Sequence, residues 1–395
     1  MSTKRNHRNA RDSAPMGPIL ADGAVGLTHR LVPDRTWLRF AAALAGRPRT
    51  VARRGRRLAA ELAAAAKGSS DRRPGRGDSR FRDPAWQDNR LLHRLMQAYL
   101  ATADLADELL SDAELDWRDN ELLKFQLDNL IAALAPSNLP GVNPLSYKEF
   151  KNSRGASAVR GLTNLGRDLA VKPRVPTLVE RDAFTVGGTV AATPGAVVYQ
   201  SEIVQLIQYT PRTPQVCATP LLIVPPVINK FYVLDLAPGR SMIEYFLDNQ
   251  HQVFTLSWRN PQAQHRDWGL DTYAEAVLDA LDVVEKITGC DRTQLLGTCS
   301  GGTLAAMLSA HLTATGRSQR LAGLALGVTV LDQTRAGTTA ATLDREAADK
   351  AISASAAVGY LDGRSLAEVF AWLRPNDLVW RYWVNNYLLG RAPAG

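Results

Sequence analysis

The chain has 395 residues, 45% of them hydrophobic and 22% charged, which suits one large globular domain with appendages or two domains. Its three cysteines show no metal-ligand spacing, so a disulfide framework and a metal centre are both unexpected and a reducing, cytoplasmic setting is favoured. No apolar run approaches the roughly 18 residues of a membrane span, and the basic N-terminus lacks the apolar core of a signal peptide.

The positive charge is concentrated at the N-terminal end. Residues 1–80 carry 18 Lys or Arg against 6 Asp or Glu, so they sum to +12 while the rest of the chain sums to −4. We predict an Arg- and Ala-rich extension that is partly disordered, with a helix over 58–67 from its alanine content. Such a segment either binds an anionic surface or is simply solvated; without interleaved aromatic residues it does not indicate nucleic-acid binding.

An N-terminal helical domain is predicted over 81–180. Residues 71–83 are polar and contain Gly and Pro, which indicates a linker, whereas apolar residues recur at helical spacing over 90–135. Three prolines interrupt this pattern over 136–144.

From residue 184 the pattern changes to that of a sheet, and we predict an α/β-hydrolase-like core over 181–333. The first predicted strands are antiparallel and lie at a sheet edge: 184–190, 197–200 and 203–209. Then follow the strands and helices of a doubly wound sheet: strand 221–224, strand 253–258, helix 273–287, strand 294–296, helix 304–312 and a β-rich run over 321–331.

The most informative motif lies between the strand ending at 296 and the helix at 304. It reads Gly297-Thr298-Cys299-Ser300-Gly301, followed by Gly302, and it matches a nucleophile elbow with cysteine as the nucleophile. Side chains at the glycine positions would crowd the sharp turn. The alternative is a buried structural cysteine beside a glycine-rich turn.

A base for this nucleophile is harder to find. His311 follows Cys299 on the same predicted helix, roughly 18 Å away at ~1.5 Å per residue, which is beyond hydrogen-bond reach. His251 and His265 precede the elbow and are predicted to be surface or loop residues. Two carboxylates could serve as the acid, or could be a strand-end cap and a loop carboxylate: Asp332 and Asp377.

Residues 334–395 depart from the strand–helix alternation. They are helical and Ala-rich and then aromatic, which fits a cap inserted over the active site. The aromatic side chains could equally be ordinary core or interface residues: Trp372, Trp380, Tyr382, Trp383 and Tyr387.

Over roughly residues 80–395, several longer stretches of the sequence resemble those of the polyhydroxyalkanoate synthases. The matching strings are DPAW (83–86), NLP to NP (138–144), TPG (193–195), PPVINKFYVLDL (225–236), SWRNP (257–261), GTCSGG (297–302), RPNDL (374–378) and YWVNNY (382–387). The GTCSGG form and the WGL string at 268–270 look most like members that accept medium-chain monomers.

The resemblance implies an acyltransferase that polymerises (R)-3-hydroxyacyl-CoA through a Cys299 thioester and releases CoA, without a cofactor or metal. It also implies a cytoplasmic protein on polyester granules with granule-associated partners, a homodimer when full length, and no nucleic acid. Family members carry their catalytic Asp and His in a further segment, so the last strands and those two residues are expected beyond residue 395, and the chain is interpreted as C-terminally truncated.

An oxyanion hole should accompany the nucleophile. The backbone N–H of Ser300, which follows Cys299, is one expected donor, and that of Ile228, after the strand at 221–224, is the other. Two other functions stay open: a Cys-dependent hydrolase or thioesterase on the same fold, and an inactive fragment that only binds granules or a full-length partner.

Overall fold

The structure, a computed structural model, describes residues 35–171, 174–180, 182–342 and 345–393. These residues form two compact units. One is built around a mixed β-sheet and contains 182–334 and 353–363; the other is helical and contains 35–180, 335–352 and 364–393, apart from the gaps just given. No helix among the described residues is long and apolar enough to cross a bilayer.

The N-terminal part of the helical unit is a succession of helices. They cover Arg35–Ala45, Pro48–Lys67, Ala85–Asp88, Arg90–Ala113, Trp117–Ala133, Pro144–Asn152 and Ala156–Ala170. Later helices cover Gly337–Thr342, Arg345–Val358 and Gly363–Leu373, with π-type turns over Asn376–Trp380 and Trp383–Leu388.

Part of the basic N-terminal segment is ordered. Residues 1–34 of the predicted extension lie outside the described residues. The helix predicted over 58–67 is confirmed, and it begins earlier, at Pro48. Arg54 ties it to the Arg90–Ala113 helix through ion pairs with Glu108 at 2.8 Å and Asp112 at 2.7 Å.

The helical pattern over 90–135 is confirmed as two helices rather than one. Glu114 ends the first in the left-handed conformation at φ 49°, and the Asp116 side chain caps the second by accepting hydrogen bonds from the Arg118 and Asp119 N–H groups. The predicted break over 136–144 is confirmed, because Asn138 and Asn143 hold that loop through side-chain bonds to backbone carbonyls.

The sheet unit contains six strands in one sheet and a two-stranded ribbon. The strands are β1 (Gly195–Gln200), β2 (Val204–Tyr209), β3 (Leu221–Val224), β4 (Asp235–Ala237), β5 (Arg240–Ser241), β6 (Val253–Trp258), β7 (Thr293–Thr298) and β8 (Leu321–Gly327). The large sheet has the order β1-β2-β6-β3-β7-β8, antiparallel at the β1–β2–β6 side and parallel from β6 to β8. The predicted α/β-hydrolase-like core, with antiparallel strands at one edge, is confirmed.

Two strand predictions were wrong in extent. Residues 184–190 form only an isolated bridge, because Gly187 at φ +82° and a hydrogen bond from Thr189 N–H to the Thr185 carbonyl close a turn there. The β-rich run over 321–331 is a strand only to Gly327, since Val328 turns the chain at φ 46°.

The central strands are buried on both faces. Leu222 on β3 packs on one side with helices Leu270–Thr288 and Ser300–Ala314, and Ile223 packs on the other side near helix Met242–Asp248. Both side chains have 0% exposure, as expected for a parallel sheet covered on its two faces. Since β7 lies beside β3, the end of β7 is held by a close-packed core.

Candidate active site

Cys299 is the single residue between strand β7 and the helix Ser300–Ala314. Its backbone has φ 52° and ψ −123°, a conformation that costs a non-glycine residue about 1–3 kcal/mol. The turn is held because Cys299 N–H donates to the Gly327 carbonyl at 3.0 Å, and the Cys299 carbonyl accepts from the N–H groups of Gly302 and Thr303. A strained strand-to-helix residue held in this way is the geometry of a nucleophile elbow.

The glycines of the motif lie where the backbone comes closest to its neighbours. A Cβ on Gly301 would collide with the carbonyl oxygens of Val224 and Pro225, and one on Gly302 would collide with the side chain of Thr329. A Cβ on Gly297 would lie 2.5 Å from the Gly302 Cα. The elbow helix can therefore approach β3 and β8 only without these side chains.

A second element of the site is the loop that follows β3. Val227 N–H donates to the Ser300 Oγ at 3.1 Å, and Trp258 Nε1–H donates to the Pro225 carbonyl at 3.0 Å. The loop is thus fixed to the elbow at one point and to β6 at another. Ile228 is the next residue of the loop. Its backbone N–H and the backbone N–H of Ser300 make no hydrogen bond to another protein group within the described ranges.

Two supporting contacts were not predicted from the sequence. The bond from Val227 to Ser300 and the contact of Thr329 with Gly302 both depend on which strands are neighbours. For the bond from Val227 to Ser300, the sequence signal is the run Pro225-Pro226-Val227 after β3. It indicates an ordered loop that a polar residue of the elbow can contact. No sequence signal indicates Thr329.

His265 was predicted to be a surface or loop residue, and that prediction was wrong. It lies in the short 3-10 helix Ala263–His265, is 4% exposed and stacks on Trp268 with ring centroids 4.0 Å apart. Its Nδ1 accepts from the Gln262 N–H, and its Nε2 lies 3.5 Å from Glu202. The stack contributes to the burial, since Trp268 covers one face of the His265 ring.

His251 and His311 each make contacts that do not involve Cys299. His251 lies in a loop with its ring edge against Phe246, and its Nδ1 is buried without a hydrogen-bond partner. His311 is exposed on the elbow helix with Nε2 3.3 Å from the Arg317 guanidinium. Within the described part of the chain, no side chain forms a hydrogen bond with the Cys299 Sγ.

The two candidate acids form their polar contacts with residues close to them in the chain. Asp332 accepts bonds from the Thr334 hydroxyl and N–H, and these hydrogen bonds hold the pKa of its carboxyl below the ordinary value. Asp377 belongs to the other unit and pairs with Arg374 at 2.6 Å. Among the described residues, no group of three His, Cys, Asp or Glu side chains could hold a metal ion.

The aromatic residues of the predicted cap belong to the helical unit. Trp380, Trp383 and Tyr387 follow one another in edge-to-face contacts with centroids 5.9 and 5.3 Å apart. Trp383 Nε1–H donates to the Asn138 carbonyl, and the Tyr387 hydroxyl donates to Asp168 at 2.7 Å. These contacts fit the core alternative for those three side chains. That the segment covers an active site stays a prediction.

Two protein-family models match the chain. The model described as "Poly-beta-hydroxybutyrate polymerase (PhaC) N-terminus" matches residues 77–246, and the model of the alpha/beta hydrolase fold matches residues 225–394. Brefeldin A esterase, a solved bacterial structure, aligns with 12% identity and a TM-score of 0.28 over 62% of this chain and 73% of its own.

Curated relatives match most of the chain. Poly(3-hydroxyalkanoate) polymerase 1 of Ectopseudomonas oleovorans is 43% identical over 82% of this chain, and polymerase 2 of the same organism is 42% identical over 85%. The chain spans 58% and 60% of the lengths of these two relatives. With the polymerase model and the hydrolase-fold model matched along one continuous region, the chain belongs to the poly(3-hydroxyalkanoate) polymerase family.

Proposed function

We propose that the chain carries the nucleophile of an acyltransferase that polymerises (R)-3-hydroxyacyl-CoA, with Cys299 as that nucleophile. The observation that carries the proposal is the strained backbone of Cys299 between β7 and its helix, facing the ordered loop after β3. The curated relatives, named poly(3-hydroxyalkanoate) polymerases, supply the substrate class.

The first step is thioester exchange. A base removes the proton of the Cys299 thiol, the thiolate attacks the carbonyl carbon of the acyl-CoA and a tetrahedral oxyanion forms. The C–S bond to CoA then breaks, and the CoA thiolate takes up that proton as it leaves. One thioester replaces another at little free-energy change, so the acyl group stays activated. A serine ester would lose most of that activation.

The second step forms the polyester. The 3-hydroxyl of another hydroxyacyl group attacks the Cys299 thioester, its proton passes to a base, an ester bond forms and the thiolate returns. No described histidine forms a hydrogen bond with the Cys299 Sγ. The base is therefore proposed to be a histidine assisted by an aspartate, the pair that the resemblance to the family implies.

Both steps need donors for the oxyanion. The backbone N–H groups of Ser300 and Ile228 are proposed for this role, because each adjoins a fixed contact and is not used by another protein group within the described residues. A donor of this kind contributes roughly 3–4 kcal/mol to the transition state. The hydrogen bond between Val227 and Ser300 sets the distance between the two.

Location and partners follow from the same proposal. The product is a water-insoluble polyester, so the enzyme is proposed to act in the cytoplasm at the granule surface, with granule-associated proteins and a second copy of the full-length enzyme as partners. The GTCSGG form of the elbow favours medium-chain monomers. No cofactor takes part in either step.

Two alternative functions differ from the polymerase in whether an acyl-enzyme forms and in what attacks it. In a thioesterase, water attacks the Cys299 thioester and the product is a free 3-hydroxy acid. In a granule-binding fragment, no acyl-enzyme forms. The absence of a hydrogen-bonded base at Cys299 in the described residues favours the second alternative for the chain by itself.

The experiment supplies (R)-3-hydroxydecanoyl-CoA to the purified chain and to a curated full-length relative. CoA release is followed with a thiol reagent, and products are separated into solvent-extractable polyester and free acid. Polyester formed with CoA release supports the polymerase, and free acid alone supports the thioesterase. CoA release from neither sample would contradict the acyltransferase proposal.

A further inference from the structure

The helical unit contains a cavity of about 610 Å³ that the proposed reaction does not use. Its walls come from the loop at 140–141, the helices Pro144–Asn152 and Ala156–Ala170, and the turn Trp383–Leu388. All of these belong to one unit. The volume lies within the roughly 300–1,000 Å³ typical of pockets for organic ligands.

The walls are almost entirely apolar. Tyr147, Phe150 and Leu162 line the cavity although they are 51%, 50% and 69% exposed, so their large side chains surround an opening rather than a filled core. Leu165 and Leu388 complete the apolar lining. A concave, apolar and exposed surface on a folded unit is typical of a ligand site.

The cavity is preformed, because the two sides that enclose it are tied together. The backbone at Tyr387 passes so close to the Ala156–Ala170 helix that a Cβ on Gly161 would collide with the Tyr387 carbonyl. The Tyr387 hydroxyl donates to Asp168 at 2.7 Å, and Trp383 Nε1–H donates to the Asn138 carbonyl at 3.0 Å. A ligand would therefore bind without first ordering these walls.

A positive charge lies beside the opening. The Lys151 ammonium is 4.8 Å from the ring centroid of Tyr147, one of the exposed lining residues. Within the described ranges no carboxylate pairs with Lys151. Two acidic groups on the helices that line the cavity already have partners, since Glu149 pairs with Arg391 at 3.1 Å and Asp168 accepts the Tyr387 hydroxyl.

From this arrangement we propose that the cavity binds an anionic amphiphile of the fatty-acid type, with its alkyl chain among the apolar walls and its carboxylate at Lys151. The volume and lining suit a flexible hydrocarbon chain, and the Lys151 ammonium, which contacts Tyr147 but no described carboxylate, supplies the complementary charge. This site is independent of Cys299 and does not rest on the proposed function.

The test measures binding of decanoate and of the neutral 1-decanol to the full chain by calorimetry. We expect both to bind, with a Kd for decanoate below about 1 mM. Lys151→Gln should weaken decanoate about tenfold and leave decanol within about twofold, as expected for one lost charge pair. The control Lys124→Gln, on the helix Trp117–Ala133 and paired with Asp128, should change neither ligand.

Steric filling provides the second arm. Leu165→Trp should abolish binding of both ligands, whereas Leu169→Trp, one turn further along the same helix and not in the lining, should not. Because Leu165→Trp could fail to fold, a bromine-substituted fatty acid is also titrated against the wild-type chain and Trp383→Phe. Its quenching of tryptophan fluorescence should be smaller in the variant, because Trp383 lines the cavity.

Three results would overturn the proposal. They are no decanoate binding by the wild-type chain, equal weakening of decanoate and decanol by Lys151→Gln, and equal quenching in the wild-type chain and Trp383→Phe.

Discussion

The Ser300 hydroxyl accepts a hydrogen bond from the Val227 backbone N–H at 3.1 Å, so the residue after Cys299 fixes the loop after strand β3. One side chain thereby connects the two segments that are proposed to supply the oxyanion donors. Ser300 would then donate its backbone N–H to the oxyanion and fix the loop through its hydroxyl.

Replacing Ser300 with alanine should loosen that loop. Val227 N–H would lose its acceptor, and Ile228 N–H would lose its fixed position. We expect CoA release to fall by about 10- to 100-fold, less than the roughly 10²–10³-fold cost of losing a whole donor. Steady-state kinetics on the full-length enzyme should show the loss in kcat.

Ser300→Thr is the matched control, since it keeps a hydroxyl at the same position. It should recover most of the activity lost in Ser300→Ala. Equal activity of Ser300→Ala and the wild-type enzyme would show that the bond to Val227 has no part in catalysis.

Gly301→Ala should destabilise the sheet unit by about 1–3 kcal/mol, in the range of overpacking substitutions. The new Cβ would meet two backbone carbonyl oxygens, at Val224 and Pro225, which cannot rotate away. Urea unfolding measures the change. Gly323→Ala on β8 is the control, because a Cβ there meets nothing within 4 Å, and its stability should stay within about 0.5 kcal/mol. Equal midpoints for the two variants would argue against the close approach at Gly301.

The pH dependence of stability should include a contribution from Asp83. Its side chain is 5% exposed and pairs with Lys148 at 2.8 Å, and its Oδ1 accepts the Ala85 N–H. Burial acts to raise the pKa of Asp83, but these hydrogen bonds outweigh it and hold the pKa below its ordinary value.

Because the pKa of Asp83 is lower in the folded state, its contribution is present above the unfolded value of about 3.9 and disappears as the pH falls through the folded value. Asp83→Asn should therefore cost about 1–3 kcal/mol at pH 7, the range for an unsatisfied buried partner, and progressively less below about pH 4. Thermal unfolding from pH 3 to pH 7 measures this. The control Asp88→Asn, at an exposed position, should show no such trend. A loss of stability in Asp83→Asn that is the same at all pH values would refute the proposed contribution of the Asp83 carboxylate.

Local patterns predicted much of the fold. The apolar run at 221–224 is β3, and the spacing around Cys299 predicted the turn between β7 and its helix. Where predictions were wrong, the cause was local geometry or packing at a distance. Gly187 closes a turn inside an apparent strand, and Trp268 covers His265 in a stack that spacing does not reveal.

The candidate site was predictable only in part. Cys299 and its glycines are contiguous in the chain, so the sequence alone was enough to predict them as a motif. The contacts of Ser300 with Val227 and of Gly302 with Thr329 join segments that are distant in the chain. They arise from the strand order, which periodicity alone does not specify.

Substitution of the proposed nucleophile should separate it from the other thiols. Cys299→Ala should abolish CoA release by the full-length enzyme, and Cys299→Ser should lose most of it, because an alcohol is a weaker nucleophile at neutral pH and its ester is less activated. Cys217→Ala, at an exposed cysteine, is the control and should retain wild-type rates. Undiminished release by Cys299→Ala would exclude this residue as the nucleophile.

The most direct test of the central claim is to locate the acyl-enzyme. The full-length enzyme is mixed with (R)-3-hydroxydecanoyl-CoA, quenched in acid within one turnover and digested, and the peptides are analysed by mass spectrometry. We predict a hydroxydecanoyl thioester on the peptide that contains Cys299, removable by hydroxylamine and absent in Cys299→Ala. An acyl group on any other residue, or CoA release with no acylated peptide, would contradict the account.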